Sequence, residues 1–411
     1  MTKFGFGKAA VAATASLAML VGLAACGSNG AGSSNTVQLT VWAASEDQAK
    51  NSSWLQTEEK AFEKAHPEYK ITWKNSVVSS ADAATTVKQD PSAAADVYQF
   101  ANDQLGTLVS AQAIGELSDD AKAQVAKQND QTLVDSVTAS DGKEYGVPLN
   151  ANTWFMYYNK SKFSDEDIKS LDTMLTKGKV SFNLMNGWYL PAFYAGAGMT
   201  IFGEKGNDAK AGVKGGDHAA EVTKYLVNLA KNPNFVKDND EGAGLAALKN
   251  GTADVFFSGT WNAEDAKKAL GDNYAAAQLP SFTTQSGTYQ MKSFAGSTAV
   301  AYNPSSKSPK IAAQFAAFLG STQSQKDHYT IRGVVPADKE LKSLIADNPA
   351  AVAQMNTIAN TSILQSTLPE MTNFWDPAKN FGTALMNGGI TEANAQAKTE
   401  AWIAQANKAS K

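Results

Sequence analysis

From residue 37 onward, short apolar strands alternate with amphipathic helices, and this alternation narrows the fold more than any other feature. V-Q-L-T-V-W (37–42) puts Val37, Leu39 and Val41 on one face, the period of a strand. Residues 53–65 place Trp54, Leu55, Glu58, Ala61, Phe62 and Ala65 at helical spacing, and His66-Pro67 stops the helix. Y-K-I-T-W (69–73) reads as a second strand, and A-D-V-Y-Q-F (95–100) as a third after an alanine-rich polar helix. This βαβαβ order is the plan of a doubly wound α/β sheet. The plan returns later, where a helix closing at 246–250 precedes the buried strand A-D-V-F-F (253–257). The segments 95–103 and 253–261 echo each other, each an apolar strand after Ala-Asp that runs into polar or aromatic residues. Ligands of open α/β sheets bind beyond the carboxyl ends of strands, so two facing lobes would set Asp103 and Trp261 across one cleft.

The segment Y-G-V-P-L-N-A-N-T-W-F-M-Y-Y (145–158) sits between the two halves. Pro148 limits ladder bonding, so the piece before it reads as an edge or crossing segment, and W-F-M-Y-Y as a strand of the second half. I-A-A-Q-F-A-A-F-L (311–319) reads as an amphipathic helix with Ile311, Phe315, Phe318 and Leu319 on one face.

The chain has one cysteine, Cys26, so no disulfide can staple it and the fold depends on its core. The position of that cysteine carries its own meaning. Lys3 and Lys8 precede an apolar run over 9–22, and Leu-Ala-Ala leads directly into Cys26. Positive charge, an apolar run and small residues make a secretory signal over 1–25. A cysteine at its end resembles a bacterial lipobox, whose thiol carries a diacylglycerol and becomes the mature N-terminus. Residues 26–36 are rich in Gly and Ser and read as a flexible tether. Removing 1–25 takes away Lys3 and Lys8 and no acid, which moves the net charge from −4 to −6. That acidity argues against a nucleic-acid partner.

Charged residues are only 18% of the chain, yet it holds eight tryptophans. Three stand at element ends instead of inside apolar stripes. Trp188, with Tyr189, follows the Asn186-Gly187 turn and precedes Pro191, which suits a first helical turn. Trp261 lies just past a strand beside Gly259, and Trp375 follows Phe374 ahead of Pro377. Flat rings at such places suit the C–H face of a sugar, while carboxylates and amides suit its hydroxyl rim. Glu46, Asp103, Asn152 and Asn186 are the polar candidates near strand ends.

Together these segments resemble the solute-binding proteins of sugar ABC importers, most closely the maltose/maltodextrin-binding group. The resemblance spans roughly residues 37–411 and is carried by Y-G-V-P with M-Y-Y-N-K-S-K-F, N-G-T-A-D-V-F-F-S-G-T-W, K-I-A-A-Q-F-A-A-F-L and R-G-V-V-P-A. It implies a two-lobe periplasmic-binding-protein-like clamp, each lobe a doubly wound sheet, with three hinge crossings near 150–153, 294–299 and 346–350. The first lobe would comprise 37–150 and 299–347, the second 151–294 and 350–411. The family's aromatic platforms match Trp261, Trp375 and Trp188. Phe100 stands where maltose binders often carry tryptophan, and Asp103 matches a carboxylate that bonds sugar hydroxyls. Asn152 and Asn186 replace glutamates found in the family, which removes charge from the pocket. The region of Glu46 aligns only loosely. The implied protein is a monomer, lipid-anchored outside the cell membrane, that hands maltose or maltooligosaccharides to membrane permease subunits.

Other sugars of raffinose, galacto- or fructo-type share the same framework and stay open. A secreted glycosidase needs two carboxylates flanking the bond, and none stands out beside the aromatics. His66, His218 and His328 are scattered without metal-ligand spacing, and no G-x-x-x-x-G-K-[ST] loop occurs. No metal, cofactor or catalytic residue is therefore expected. A sugar sensor or glycan adhesin is a further class that the residues leave open.

Overall fold

A computed structural model describes residues 35–48, 53–89, 94–239 and 242–408. Cys26 and the signal and lipid readings lie outside these residues. Fifteen strands are described: β1 Asn35–Ala43, β2 Tyr69–Val77, β3 Val97–Ala101, β4 Val147–Asn152, β5 Phe155–Asn159, β6 Val180–Phe182, β7 Thr200–Ile201, β8 Val213–Lys214, β9 Phe235–Lys237, β10 Val255–Ser258, β11 Tyr274–Ala277, β12 Ser281–Thr283, β13 Thr288–Gln290, β14 Ser293–Tyr302 and β15 Ser362–Leu364.

They form two principal sheets. The first runs β15-β14-β3-β1-β2, with β4 also paired to β14. β1 is parallel to β2 and β3, whereas β14 is antiparallel to β3 and β4. The second runs β11-β5-β10-β6-β9, with β10, β6 and β9 parallel and β5 antiparallel to β10 and β11. Each sheet has its own apolar core, one around Leu39, Val41, Phe62 and Phe315, the other around Trp154, Phe182, Phe193 and Phe257. The fold is thus the two-lobe α/β clamp, with the cores separated by the hinge.

The local elements follow from their sequences. Leu39 and Val41 are buried from β1 and Val37 packs at the core's edge, as the alternation predicts. Ser53 caps the helix Trp54–Ala65 by accepting from Gln56 N, and the helix stops at His66. Its buried face is narrower than the spacing implied: Ala61 and Ala65 are exposed, and Glu59 is buried instead. In the helix Pro309–Leu319, Ile311, Phe315 and Leu319 are buried, but Phe318 is only half-buried against Phe62. Pro148 sits in β4 opposite Ala299, where the register shifts between Thr298 and Ala299. A bulge is where a sheet tolerates a residue without an N–H.

The chain passes from the first sheet to the second between β4 and β5, at Thr153 and Trp154, and returns through β14. These two crossings are bonded together: Thr153 Oγ1 donates to Phe294 O at 2.7 Å and lies 2.8 Å from Ser293 Oγ. The third passage follows the helix Thr322–Arg332 and reaches the helix Pro349–Asn360, which packs on β5 and β11. β15, within the segment expected in the second lobe, pairs with Ser293–Ala295 of β14 and extends the first sheet at the hinge. Among the described residues no helix is long and apolar enough to cross a membrane.

Candidate functional site

The central strands β3 and β10 end alike. β3 runs into a 3-10 turn at Asn102–Gln104, and β10 into one at Thr260–Asn262. Both turns arise where a buried apolar run meets small polar residues, and both present side chains at the carboxyl end of a strand. Beyond β3, between the two sheets, lies a cleft of about 620 Å³, within the usual size of a small-molecule site.

Asp103, Asn152, Asn186, Trp188 and Trp375 line this cleft. Trp261 is not in its wall but adjoins it, 5.9 Å from Trp188 between ring centroids. At 50% exposure, Trp261 is the most exposed aromatic among the described residues. Its position depends on Gly259. A Cβ there would lie 1.8 Å from the Trp261 ring, so the ring folds back over bare backbone. Tyr157 Oη donates to the Gly259 carbonyl at 2.8 Å and fixes that platform from below. Gly259→Ala is expected to dislodge the Trp261 ring without unfolding the lobe. Any loss of ligand affinity it causes should not add to that of Trp261→Ala, as a double-mutant cycle by calorimetry would show.

Trp188 is half-buried, with Tyr189 packed edge-to-face beneath it at 5.6 Å. Its backbone is set by Asn186, whose Oδ1 accepts from Trp188 N at 2.8 Å, an Asx turn. Trp375 lies in the first turns of the helix Thr372–Met386, which continues through Pro377. Gly187 lets this helix approach: a Cβ at 187 would stand 2.8 Å from the Trp375 carbonyl. The turn and the helix start are thereby held together, and both tryptophans line the cleft.

Three candidates lie elsewhere. Phe100 is fully buried in the first core, against Gly146 and Ala299. β3 is a central strand covered on both faces, so an aromatic on it packs inward whichever way it points. Tyr189 is 1% exposed and stacks on Trp154 at 4.7 Å, behind Trp188. Glu46 is exposed on the short turn after β1 and does not line the cleft.

The cleft is also lined by residues beyond the sequence candidates: Asn102, Gln104, Asn183, Asn239, Gln365, Asp376 and Lys379. Most are amides, which carry both donors and acceptors. Asn102 and Asn183 follow strand ends, a signal the sequence did offer; Gln365 follows the three-residue β15, too short to be read. Asp103 lies in the turn just past the carboxyl end of β3. Burial pushes its carboxyl above the usual range, against the opposing pull of its own backbone N–H. Among the described residues no cluster of His, Cys, Asp or Glu could hold a metal ion. The lining combines two indole rings with many amides, a set suited to an uncharged polyhydroxylated ligand with flat C–H faces.

Comparison with known proteins agrees with this chemistry. Residues 60–357 match the family described as bacterial extracellular solute-binding protein. The maltooligosaccharide ABC transporter solute-binding lipoprotein of Streptococcus pneumoniae serotype 4 (strain ATCC BAA-334 / TIGR4) is 30% identical over 400 residues, covering 90% of each chain. The galactooligosaccharide-binding protein of Bacillus subtilis (strain 168) is 28% identical over 396 residues, covering 88% of each. A solved structure determined with acarbose is 45% identical, covers 91% of this chain and 99% of its own, and superposes with a TM-score of 0.81. Fold, cleft and relatives converge: this chain belongs to the bacterial extracellular solute-binding protein family.

Proposed function

We propose that this protein captures maltose and maltooligosaccharides and delivers them to the membrane subunits of an ABC importer. The observation that carries the reading is the cleft itself, lined by Trp188, Trp375 and a majority of amides among its polar residues. Stacked rings cover the C–H faces of glucose units, and Asp103, Asn152 and Asn186 bond hydroxyls. Relatives that bind maltooligosaccharides, and the 45% identical structure with acarbose, support glucose-type ligands. The galactooligosaccharide-binding relative makes galacto-oligosaccharides the second reading.

The first lobe comprises 37–150 and 299–347, the second 151–294 and 350–411, with β15 and Gln365 at the hinge on the edge of the first sheet. Sugar touches both lobes only when they approach, so it favours the closed clamp by its differential affinity for that state. The permease reads closure as a loaded signal, and ATP hydrolysis by a partner supplies the energy. The chain acts as a monomeric binder and not as an enzyme; release of glucose from maltotriose by the purified protein would contradict this. Lipid on Cys26 keeps it at the outer face of the membrane beside the permease.

Closure provides the test. Small-angle X-ray scattering of residues 27–411 is expected to show a smaller radius of gyration with saturating maltotriose than without sugar. An unchanged radius, with binding present, would contradict the clamp mechanism.

Asp103 gives affinity a pH dependence. The ionised carboxylate is the stronger acceptor, and its pKa is raised by burial. Affinity is therefore expected to fall as pH drops through that raised value. Asp103→Asn should weaken binding roughly tenfold at neutral pH and flatten the acid limb of the profile, measured by calorimetry from pH 7 to 4.

A further inference from the structure

Gln365 belongs to no motif and no apolar stripe, yet three of its hydrogen bonds reach three separate parts of the molecule. Its N–H donates to Ala295 O in the hinge strand β14 at 2.8 Å. Its carbonyl accepts from Asn102 Nδ2, in the turn after β3, at 3.0 Å. Its side-chain Oε1 accepts from the indole Nε1–H of Trp188 at 2.8 Å. Asn102 is itself buried and pinned by the hinge, since a Cβ at Gly296 would stand 2.0 Å from Asn102 Oδ1.

The indole of Trp188 has one polar group, and Gln365 takes it. Tyr189 and Trp261 also meet the ring, through aromatic contacts that constrain it less tightly than the hydrogen bond does. The tilt of the ring is thus set by one residue whose backbone is bonded to the hinge strand and the first lobe. A ring edge committed in this way leaves only its face for a ligand.

We propose that Gln365 is a positioning residue that orients the Trp188 platform and couples that orientation to the hinge. The inference rests on the oligosaccharide-binding reading of the cleft. Movement of β14 relative to the second lobe shifts Gln365 and so changes the angle at which Trp188 meets a sugar ring. The platform is correctly tilted in one relation of the lobes and released in others.

The test is a double-mutant cycle read by calorimetry with maltotriose. Gln365→Leu removes the acceptor, and Trp188→Phe removes the donor while keeping a ring. Gln365→Leu is expected to weaken binding roughly fivefold in the native background and by less than about twofold in the Trp188→Phe background. Gln365→Glu, which still accepts from the indole, should restore most of the affinity. Equal losses in both backgrounds would mean that Gln365 acts without Trp188 and would overturn the proposal, as would no loss in either.

A second measurement needs neither a folded variant at 365 nor a ligand. The indole ¹⁵N–¹H resonance of Trp188, assigned by its disappearance in Trp188→Phe, should exchange with solvent many-fold more slowly than that of free tryptophan. Exchange as fast as free tryptophan would overturn the positioning role. Failure of the native protein to bind maltotriose would defeat the sugar reading instead, and the indole resonance would still decide the role of Gln365.

Discussion

Trp188→Ala is expected to cause the largest loss of sugar affinity of any single substitution in the cleft, about 2 kcal/mol or roughly thirtyfold. The ring is central in the wall, half-buried, backed by Tyr189, flanked by Trp261 and hydrogen-bonded to Gln365. Truncation removes the stacking surface and also strands the partners that hold it. Trp261→Ala should cost less, because Trp261 is 50% exposed at the rim. Its loss should leave thermal stability unchanged, since little buried surface is surrendered. Calorimetry of the two variants with maltotriose, alongside thermal unfolding, separates these effects. An effect of Trp261→Ala larger than that of Trp188→Ala would contradict the assignment of the central platform.

The second large effect concerns stability and pH. Glu58 and Glu59 face inward from the helix Trp54–Ala65 and are buried. Burial raises both carboxyls from the ordinary 4.5 to about 7, with the charge of Asp327 adding to Glu58 and that of Glu63 to Glu59. Glu58 Oε1 has no hydrogen-bond partner, which fits a group held neutral. Between pH 4.5 and 7 the folded protein therefore binds more protons than the unfolded chain. Stability falls as pH rises through that window and levels off above it. Each group contributes on the order of 2 kcal/mol across the window.

The neighbouring Asp47 acts in the opposite sense. Burial would raise its carboxyl, but the hydrogen bond and charge of His328, with Gln99 and Arg332, outweigh burial and hold it below the usual range. Its contribution is present at neutral pH and is lost as pH falls through that depressed value. Thermal unfolding of residues 27–411 should give a higher midpoint at pH 5 than at pH 8. Glu58→Gln with Glu59→Gln should raise the midpoint at pH 8 and flatten the slope. A native midpoint that rises from pH 5 to pH 8 would contradict the account.

The sequence made some of this legible and hid the rest for physical reasons. Strand alternation in β1 was readable because local pattern and burial agree there, and the helix after it was readable in extent although it buries a narrower face than its spacing implied. Trp188, Trp261 and Trp375 could be singled out because each stands where an element ends, outside any apolar stripe. Asp103 was readable from its place after a buried strand. Phe100 was not: a central strand buried on both faces erases the alternation that would tell its two sides apart. Tyr189, one residue from Trp188, turns inward because the helical turn that starts there sends neighbouring side chains to different faces.

Asn186 was readable as a polar residue near the cleft, but its Asx turn to Trp188 N appears only in three dimensions. Gln365 left no local signal at all. Its three bonds depend on β15 pairing with β14, a contact between residues about seventy positions apart in the chain. Such a residue becomes visible only when the lobes and the hinge are assembled.

Binding of glucose oligosaccharides in the cleft is tested most directly by a calorimetric titration of residues 27–411 with maltose, maltotriose, longer maltodextrins, raffinose, a galacto-oligosaccharide and a fructo-oligosaccharide. The account predicts saturable binding of the glucose series at roughly micromolar Kd, about −8 kcal/mol, and its loss in Trp188→Ala. Heat from only one of the other sugars, or silence across the whole panel, would contradict it.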